Sequence, residues 1–242
     1  TIRCIYSRFN GDVNGYFLCD RGRFGYEYAN ERVPSLGGEG TPSRAREILR
    51  EAKGVIGIGS PRASLEANYA LRKLVGAQNF STGLSAFEQE GVSAALEAVR
   101  GGRLRIPSLA EVELADVVIV LGVDPTNEAP MLDFAIRQAM RKAPLDIARK
   151  LKIPDWDANA VATALQDARG LLYIVAPWQV KLAEIVADSA VTSPQGVLDF
   201  AAGIMAGFEH GACEITNELL NARKPLIVTG VSAGADAIRA AA

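Results

Sequence analysis

Val117-Val118-Ile119-Val120-Leu121, closed by Gly122, decides the fold. Four of its five residues are β-branched, and no polar residue alternates with them. Such a run is too short for a helix, and as a strand it needs apolar cover on both faces. Similar runs recur at Val55-Ile56-Gly57-Ile58-Gly59, Leu171-Leu172-Tyr173-Ile174-Val175 and Leu226-Ile227-Val228-Thr229. Between them the period changes to that of amphipathic helices. Helices are expected from Thr41 or Ser43 to about Lys53, over 63–75, over 86–100, from 129 to 142, from Gln179 to Ala187, over 199–221 and from Ala233 onward. In the second of these Leu65, Tyr69, Leu71, Leu74 and Val75 form the apolar face. Asn79 to Ser81 is a minor strand, and 143–157, bracketed by Pro144 and Pro154, reads as a surface excursion. Strands of this kind alternating with helices predict an α/β fold, a doubly wound and mainly parallel sheet, over residues 41–242.

Composition fits that class. The 242 residues are 49% hydrophobic and 22% charged, which is ordinary for a globular protein and enough for a substantial core. A net charge of -2 with scattered basic residues argues against a nucleic-acid partner. No apolar run approaches the roughly 20 residues that span a bilayer, so direct membrane insertion is not expected. Three widely spaced cysteines point to a reducing compartment. The chain opens on Thr1, already inside a motif, and is expected to be an internal piece of a longer protein.

The first 33 residues differ from the rest. Tyr6, Phe9, Tyr16, Phe17, Phe24, Tyr26 and Tyr28 interleave with Arg3, Arg8, Arg21, Arg23 and Arg32. Asp12 to Gly15 gives a turn signal for a small hairpin between Arg3–Phe9 and Tyr16–Leu18. Aromatic residues among arginines also suit RNA stacking, but the rest of the chain has no matching basic surface. Packing of a small domain onto a larger one is the preferred reading. Val33 to Pro42, rich in glycine and proline, is the linker.

Two glycine-containing stretches bear on ligand chemistry. Gly57-Ile58-Gly59-Ser60-Pro61-Arg62 follows a strand and precedes a helix, but Arg62 stands where a dinucleotide fingerprint needs its third glycine. NAD binding is therefore not expected there, and no Walker A sequence occurs. The longer string Gly59-Ser60-Pro61-Arg62-Ala63-Ser64-Leu65-Glu66-Ala67-Asn68-Tyr69 resembles the GSxRxxxExNY helix start of the molybdopterin oxidoreductase superfamily. Ala115-Asp116, the strand 117–121 and Asp124-Pro125-Thr126-Asn127-Glu128-Ala129-Pro130 resemble its second strand-loop-helix. Finally, Phe17-Leu18-Cys19-Asp20-Arg21-Gly22-Arg23-Phe24-Gly25-Tyr26 resembles the FLCDRGRFGY block of the NADH-quinone oxidoreductase G subunit family, the large iron-sulfur subunit of respiratory complex I. The three motifs, in the family's order, cover roughly residues 1–140.

The resemblance implies residue roles. Cys19 would be the last thiolate of a 4Fe-4S cluster, a C-x2-C-x3-C group upstream of Thr1 supplying the others, since a cubane needs about four. Residues 1–35 would be the C-terminal part of the cluster subdomain, and 41–242 a molybdopterin-oxidoreductase-like domain, incomplete at its C-terminus. Two departures separate the chain from true molybdoenzymes. Asp20-Arg21-Gly22-Arg23 lacks the lysine that those enzymes place between cluster and pterin, and Ser81 to Ser85 lacks a cysteine metal ligand. No molybdopterin is expected, and Ser85 reads as a helix cap or loop residue rather than a molybdenum ligand. The implied partners are the other peripheral-arm subunits of complex I, on the cytoplasmic side of the bacterial inner membrane. The alternatives are a molybdopterin-dependent oxidoreductase of formate dehydrogenase type and a scaffold with no redox role. His210, the single histidine, reads as the end of a helix, Cys4 and Cys213 as small semi-buried apolar residues, and no G-x-S-x-G elbow supports a hydrolase triad.

Overall fold

The computed structural model describes residues 1–31, 41–102, 104–165, 170–210 and 214–242. They form two compact units, residues 1–8 with 16–89 and residues 9–15 with 90–242. The expected linker, 33–42, lies outside the described residues but for its last two positions.

The first unit contains α1 (Asp20–Phe24), α2 (Glu27–Asn30), α3 (Thr41–Glu51), β1 (Gly57–Ile58), α4 (Leu65–Val75) and β2 (Phe80–Ser81). β1 and β2 pair in parallel, Gly57 opposite Phe80 and Ile58 opposite Ser81. The Ser64 hydroxyl caps α4 by accepting the Ala67 N–H at 3.1 Å. α4 lies directly on β1, because a Cβ on Gly57 would come within 2.9 Å of Val75 Cγ2 and 3.0 Å of Leu71 Cγ. The other face is open. Ile56 and Ile58, alternate to Gly57, are 75% and 68% exposed. The run 55–59, read as a fully covered strand, thus belongs to a small separate sheet with one uncovered face, although the expected minor strand at 79–81 is its partner.

The hairpin expected across Asp12 to Gly15 is reduced to a turn closed by one antiparallel bridge, Asn10 to Gly15. Its would-be strands hold no buried residue, and a two-stranded ribbon without a covered face is marginal. Side chains fasten this stretch instead. Asn30 accepts the Ile2 N–H at 2.6 Å and donates to the Ile2 carbonyl at 2.8 Å, while the Tyr26 hydroxyl donates to the Arg3 carbonyl at 3.1 Å.

After α5 (Ala86–Arg100) and the capped turn α6 (Leu109–Val112), the second unit is built on β3 (Val117–Leu121). It continues through α7 (Pro125–Glu128), α8 (Pro130–Lys150), α9 (Ala158–Leu165), β4 (Leu171–Ala176), β5 (Asp188–Val191), α10 (Pro194–His210), α11 (Glu214–Asn221), β6 (Pro225–Val228) and α12 (Ala235–Ala241). The four strands form one parallel sheet in the order β5-β4-β3-β6. Helices cover both faces. Val118, Val120, Leu172 and Ile174 meet Ala135, Ile136 and Ala139 of α8, whereas Ile119, Leu121, Tyr173 and Val175 meet Val197, Ala201 and Ile204 of α10 and Leu219 of α11. The chain is therefore α/β with parallel sheets.

Three helices differ from the sequence reading, the first being 199–221, which is α10 from Pro194 and a separate α11. α8 runs through Pro144 to Lys150, so most of the excursion expected at 143–157 is helix. Proline within a helix removes one N–H, at a cost of about 3 kcal/mol, but the buried stripe of Ile136, Ala139, Met140 and Ala148 continues past it. Gly170 passes close to the unsatisfied turn: a Cβ there would lie 2.9 Å from Met140 Cα and 3.0 Å from its carbonyl oxygen. The helix expected over 179–187 is a short 3-10 segment, Lys181–Ile185, leading into β5. β5 escaped notice because Asp188-Ser189-Ala190-Val191 is a sheet edge, exposed throughout, with no apolar run to announce it.

Leu172 is fully buried, whereas Ile58 occupies an equally apolar run on an open face. Leu172→Ala should lower unfolding free energy by about 2–5 kcal/mol and Ile58→Ala by less than about 1 kcal/mol, as measured by urea denaturation.

Tyr173 donates its hydroxyl hydrogen bond to the Glu218 carboxylate. Burial first, and that carboxylate second, push the Tyr173 phenol well above its ordinary value. The folded state holds this proton more tightly than the unfolded state does. Its stabilising contribution is whole below about pH 10 and declines as pH rises beyond it. Alkaline denaturation should begin above that pH, and Tyr173→Phe should flatten the slope while leaving neutral-pH stability within about 1.5 kcal/mol. An unchanged alkaline slope in the variant would count against the assignment.

Candidate functional site

Cys19 stands at the N-terminal boundary of α1, in extended conformation (φ -67, ψ 156), with its sulfur accepting the Gly22 N–H at 3.4 Å. The side chain is half-buried. Gly22 brings its backbone to the sulfur, since a Cβ there would already lie 3.0 Å from Leu18 Cδ1 and 3.7 Å from Cys19 Sγ. Gly25 ends the helix where a Cβ would fall 2.4 Å from the Arg21 carbonyl oxygen, so both glycines of the block serve the one-turn helix that presents the thiol. A thiolate on a backbone N–H is a donor set suited to iron–sulfur ligation, in which such bonds tune the cluster. Among the described residues no three His, Cys, Asp or Glu side chains converge on a metal-sized space. Cys4 is exposed and forms a hydrogen bond with Tyr6, which raises the Tyr6 phenol above its ordinary value. Cys213 and the His210 side chain lie outside the described residues, and the backbone of His210 ends α10.

The glycine-serine loop before α4 is organised by Asn68. Its Oδ1 accepts the Ser60 N–H at 3.0 Å, and its Nδ2 donates to the Ser60 and Ser64 carbonyls at 2.9 and 3.2 Å. The Ser60 hydroxyl accepts the Arg62 N–H at 3.2 Å. These are the backbone donors a phosphate would use, and side chains of the loop already hold them. Gly59 is the position that admits Asn68, since a Cβ there would lie 2.4 Å from its Oδ1. Glu66 is held below the usual carboxylate range, first by its own backbone N–H and then by the Ser64 hydroxyl. Sequence spacing singled out this string, but only the contacts show that Asn68 is its centre. Arg62 is exposed.

Ser85 is a helix cap. It exchanges hydrogen bonds with Glu88, donating from its hydroxyl and backbone to Glu88 Oε2 at 2.8 Å each and accepting the Glu88 N–H at 3.2 Å. Both ordinary capping acceptors and donors are committed, which leaves the hydroxyl a structural part of the loop.

A third place, reached in sequence only through the Gly122 to Asn127 loop that a molybdopterin enzyme would use for a nucleotide end of its cofactor, is the point in the four-stranded sheet where strand order reverses. The chain moves from β3 outward to β4 and β5 and then returns to β6 on the other side of β3. Ligands of open α/β sheets commonly bind beyond the strand ends at such a point. Here Glu128 fills it, accepting the Asp124 N–H at 2.9 Å and the Ser232 hydroxyl at 2.7 and 2.9 Å. Gly122, at φ +66, lets the β6 loop close in: a Cβ there would meet Ala233 Cβ at 2.7 Å. Nearby, Asp133 is buried but paired with Arg137 at 2.9 Å and accepts the Thr126 hydroxyl at 3.2 Å. The signal in sequence was the turn chemistry of Asp124-Pro125-Thr126-Asn127, but Asp124 caps the short α7, accepting the Thr126 N–H at 3.1 Å, and α8 itself begins after Ala129 with no side-chain cap.

No protein-family model matches the chain. Curated proteins do. The chain is 39% identical over 269 aligned positions to the NADH-quinone oxidoreductase G subunit of Salmonella typhimurium, with all of this chain and 30% of that protein covered. The corresponding protein of Escherichia coli K12 gives the same identity and coverage, and that of Shewanella oneidensis gives 41% over 270 positions, again covering all of this chain and 30% of the relative. The chain thus spans about a third of the length of the curated relatives it matches. The resemblance carried by the Cys19 block and the two later motifs extends to the whole sequence, which is that of a relative of one segment of the NADH-quinone oxidoreductase G subunit family.

Proposed function

We propose that this chain is part of the electron-transferring iron-sulfur subunit of an NADH:quinone oxidoreductase, the proton-translocating respiratory complex I, which passes electrons from NADH toward quinone. The observation that carries the proposal is 39–41% identity to NADH-quinone oxidoreductase G subunits along the chain's whole length. Within that subunit, residues 1–35 would complete a cluster-binding subdomain, and 41–242 would form the molybdopterin-oxidoreductase-like body that supports it.

Cys19 is the residue to which a chemical role is given. A 4Fe-4S cluster, when bound, supplies one-electron transfer. Cys19 would furnish one thiolate, and the Gly22 N–H at 3.4 Å would lower the charge density on that sulfur. The other thiolates would come from outside residues 1–242. No helix among the described residues is long and apolar enough to cross a membrane. Attachment to the cytoplasmic side of the bacterial inner membrane would then run through the other peripheral-arm subunits.

The α/β body is proposed as scaffold without a molybdopterin. Two observations support this: Asn68 Oδ1 and the Ser60 hydroxyl take the Ser60 and Arg62 N–H groups of the glycine-serine loop, and the Glu128 carboxylate sits where a nucleotide phosphate would approach the larger sheet. Titration calorimetry with NADH and with GDP should show no binding tighter than about 100 μM. Micromolar binding of GDP would favour a molybdopterin nucleotide instead.

The ligand role is tested in a longer form of the protein that begins upstream of a C-x2-C-x3-C group. Anaerobic reconstitution should give about four irons per chain. Cys19→Ala should abolish or strongly weaken the paramagnetic signal of the reduced cluster, while Cys4→Ala leaves it intact. A full, unaltered cluster in Cys19→Ala would reduce the Cys19 block to a structural role.

A further inference from the structure

At the N-terminal edge of the four-stranded sheet, opposite the end that Glu128 fills, a cavity of about 380 Å³ opens between α8 and the turns that lead into β3, β4 and β6. Its floor is apolar and buried: Ala115, Ala139 and Met140 are 4, 3 and 5% exposed. Three cations, Lys142, Arg223 and Lys224, stand exposed on its rim.

The carboxylates at the same opening are already engaged. Asp116 accepts the backbone N–H groups of Arg223 and Lys224 at 2.8 and 3.0 Å, so it ties down the start of β6 rather than neutralising their side chains. Asp146 is paired with Arg149 at 3.3 Å. Among the described residues, none of the three rim cations has a carboxylate within salt-bridge distance. The opening therefore combines an apolar floor with one net positive charge, three cations against the carboxylates of Asp116 and Asp146. Its volume lies at the lower end of small-molecule sites, which run from about 300 to 1,000 Å³.

We propose that this cavity binds a small organic anion, a carboxylate on an apolar body about the size of one aromatic ring. The ring would lie on Ala139 and Met140, and the carboxylate would be held by the rim cations. With the backbone donors of 223 and 224 taken by Asp116, long flexible side chains supply the recognition, so the site selects charge and bulk more than exact shape. The carboxylate could belong to a free metabolite or to a chain terminus ending in an aromatic residue. Neither source depends on the electron-transfer role of Cys19.

The chain has three methionines, of which Met140 alone lines the cavity, so methyl-labelled methionine provides a local probe by NMR. Titration with 3-phenylpropionate should shift the Met140 methyl and leave Met131 and Met205 still. Binding should be about tenfold tighter than that of 3-phenylpropanol, the uncharged counterpart, and should weaken as salt rises. The triple variant K142Q/R223Q/K224Q changes only exposed side chains, and in it the acid should bind no better than the alcohol. N-acetylglycyl-phenylalanine as a second ligand separates the sources: a matching Met140 shift assigns a chain terminus, and a shift by the free acid alone assigns a metabolite. Equal affinity for acid and alcohol, an unmoved Met140, or an acid preference that survives in the triple variant would overturn the proposal.

Discussion

Everything in the larger unit depends on the complete desolvation of β3. Its five residues are between 0 and 2% exposed, and its two edges hydrogen-bond to β4 and β6. A strand so enclosed leaves no backbone group for water and no side chain for solvent, so its neighbours must supply both pairing and cover. α8 answers one face, and α10 with α11 the other. The helix continues through Pro144, and Ala148 beyond it is fully buried.

The parts of the fold legible in sequence were those in which a single physical rule dominates. The runs at 117–121 and 171–175 are strands because nothing but two-sided burial accommodates them, and the helices at 65–75 and 86–100 form where their period placed them, although Leu65, Tyr69 and Leu74 of the expected apolar face are exposed. The rest was hidden where rules compete. β5 is polar because it is an edge, Pro144 is overruled by packing, and the open face of β1 shows that an apolar run reports a tendency to be covered rather than the cover itself. The candidate site divides the same way. Cys19 was marked by its neighbours in sequence, whereas the partner that makes Ser85 a cap, Glu88, emerged only from the contacts. Asn68 and Glu128 act through contacts eight and 104 residues away, which no spacing reveals.

The segment around Cys19 stands in contrast to β3. Residues 1–31 contain no buried side chain, and Tyr6, Tyr16, Phe24 and Tyr28 are between 62 and 81% exposed. It is held by side-chain ties such as Asn30 to Ile2 and Tyr26 to Arg3. Hydrogen bonds of this kind in water contribute roughly 1 kcal/mol each, less than a core would. Aromatic surface on this scale favours covering by further protein.

The Asp116 clamp on the start of β6 has a kinetic consequence. It joins residues 107 and 108 positions apart, and with the β3–β6 ladder it closes the longest loop of the sheet. Contacts of such sequence separation form late, after β3, β4 and the intervening α8 have collapsed locally. Until β6 arrives, one edge of the most apolar strand in the chain is bare, a template for pairing with another molecule. On the ribosome that interval lasts while more than a hundred residues are made. The acidic side chain at 116 then serves a second purpose, as a charge at the entry of an aggregation-prone strand during the time it waits for its partner.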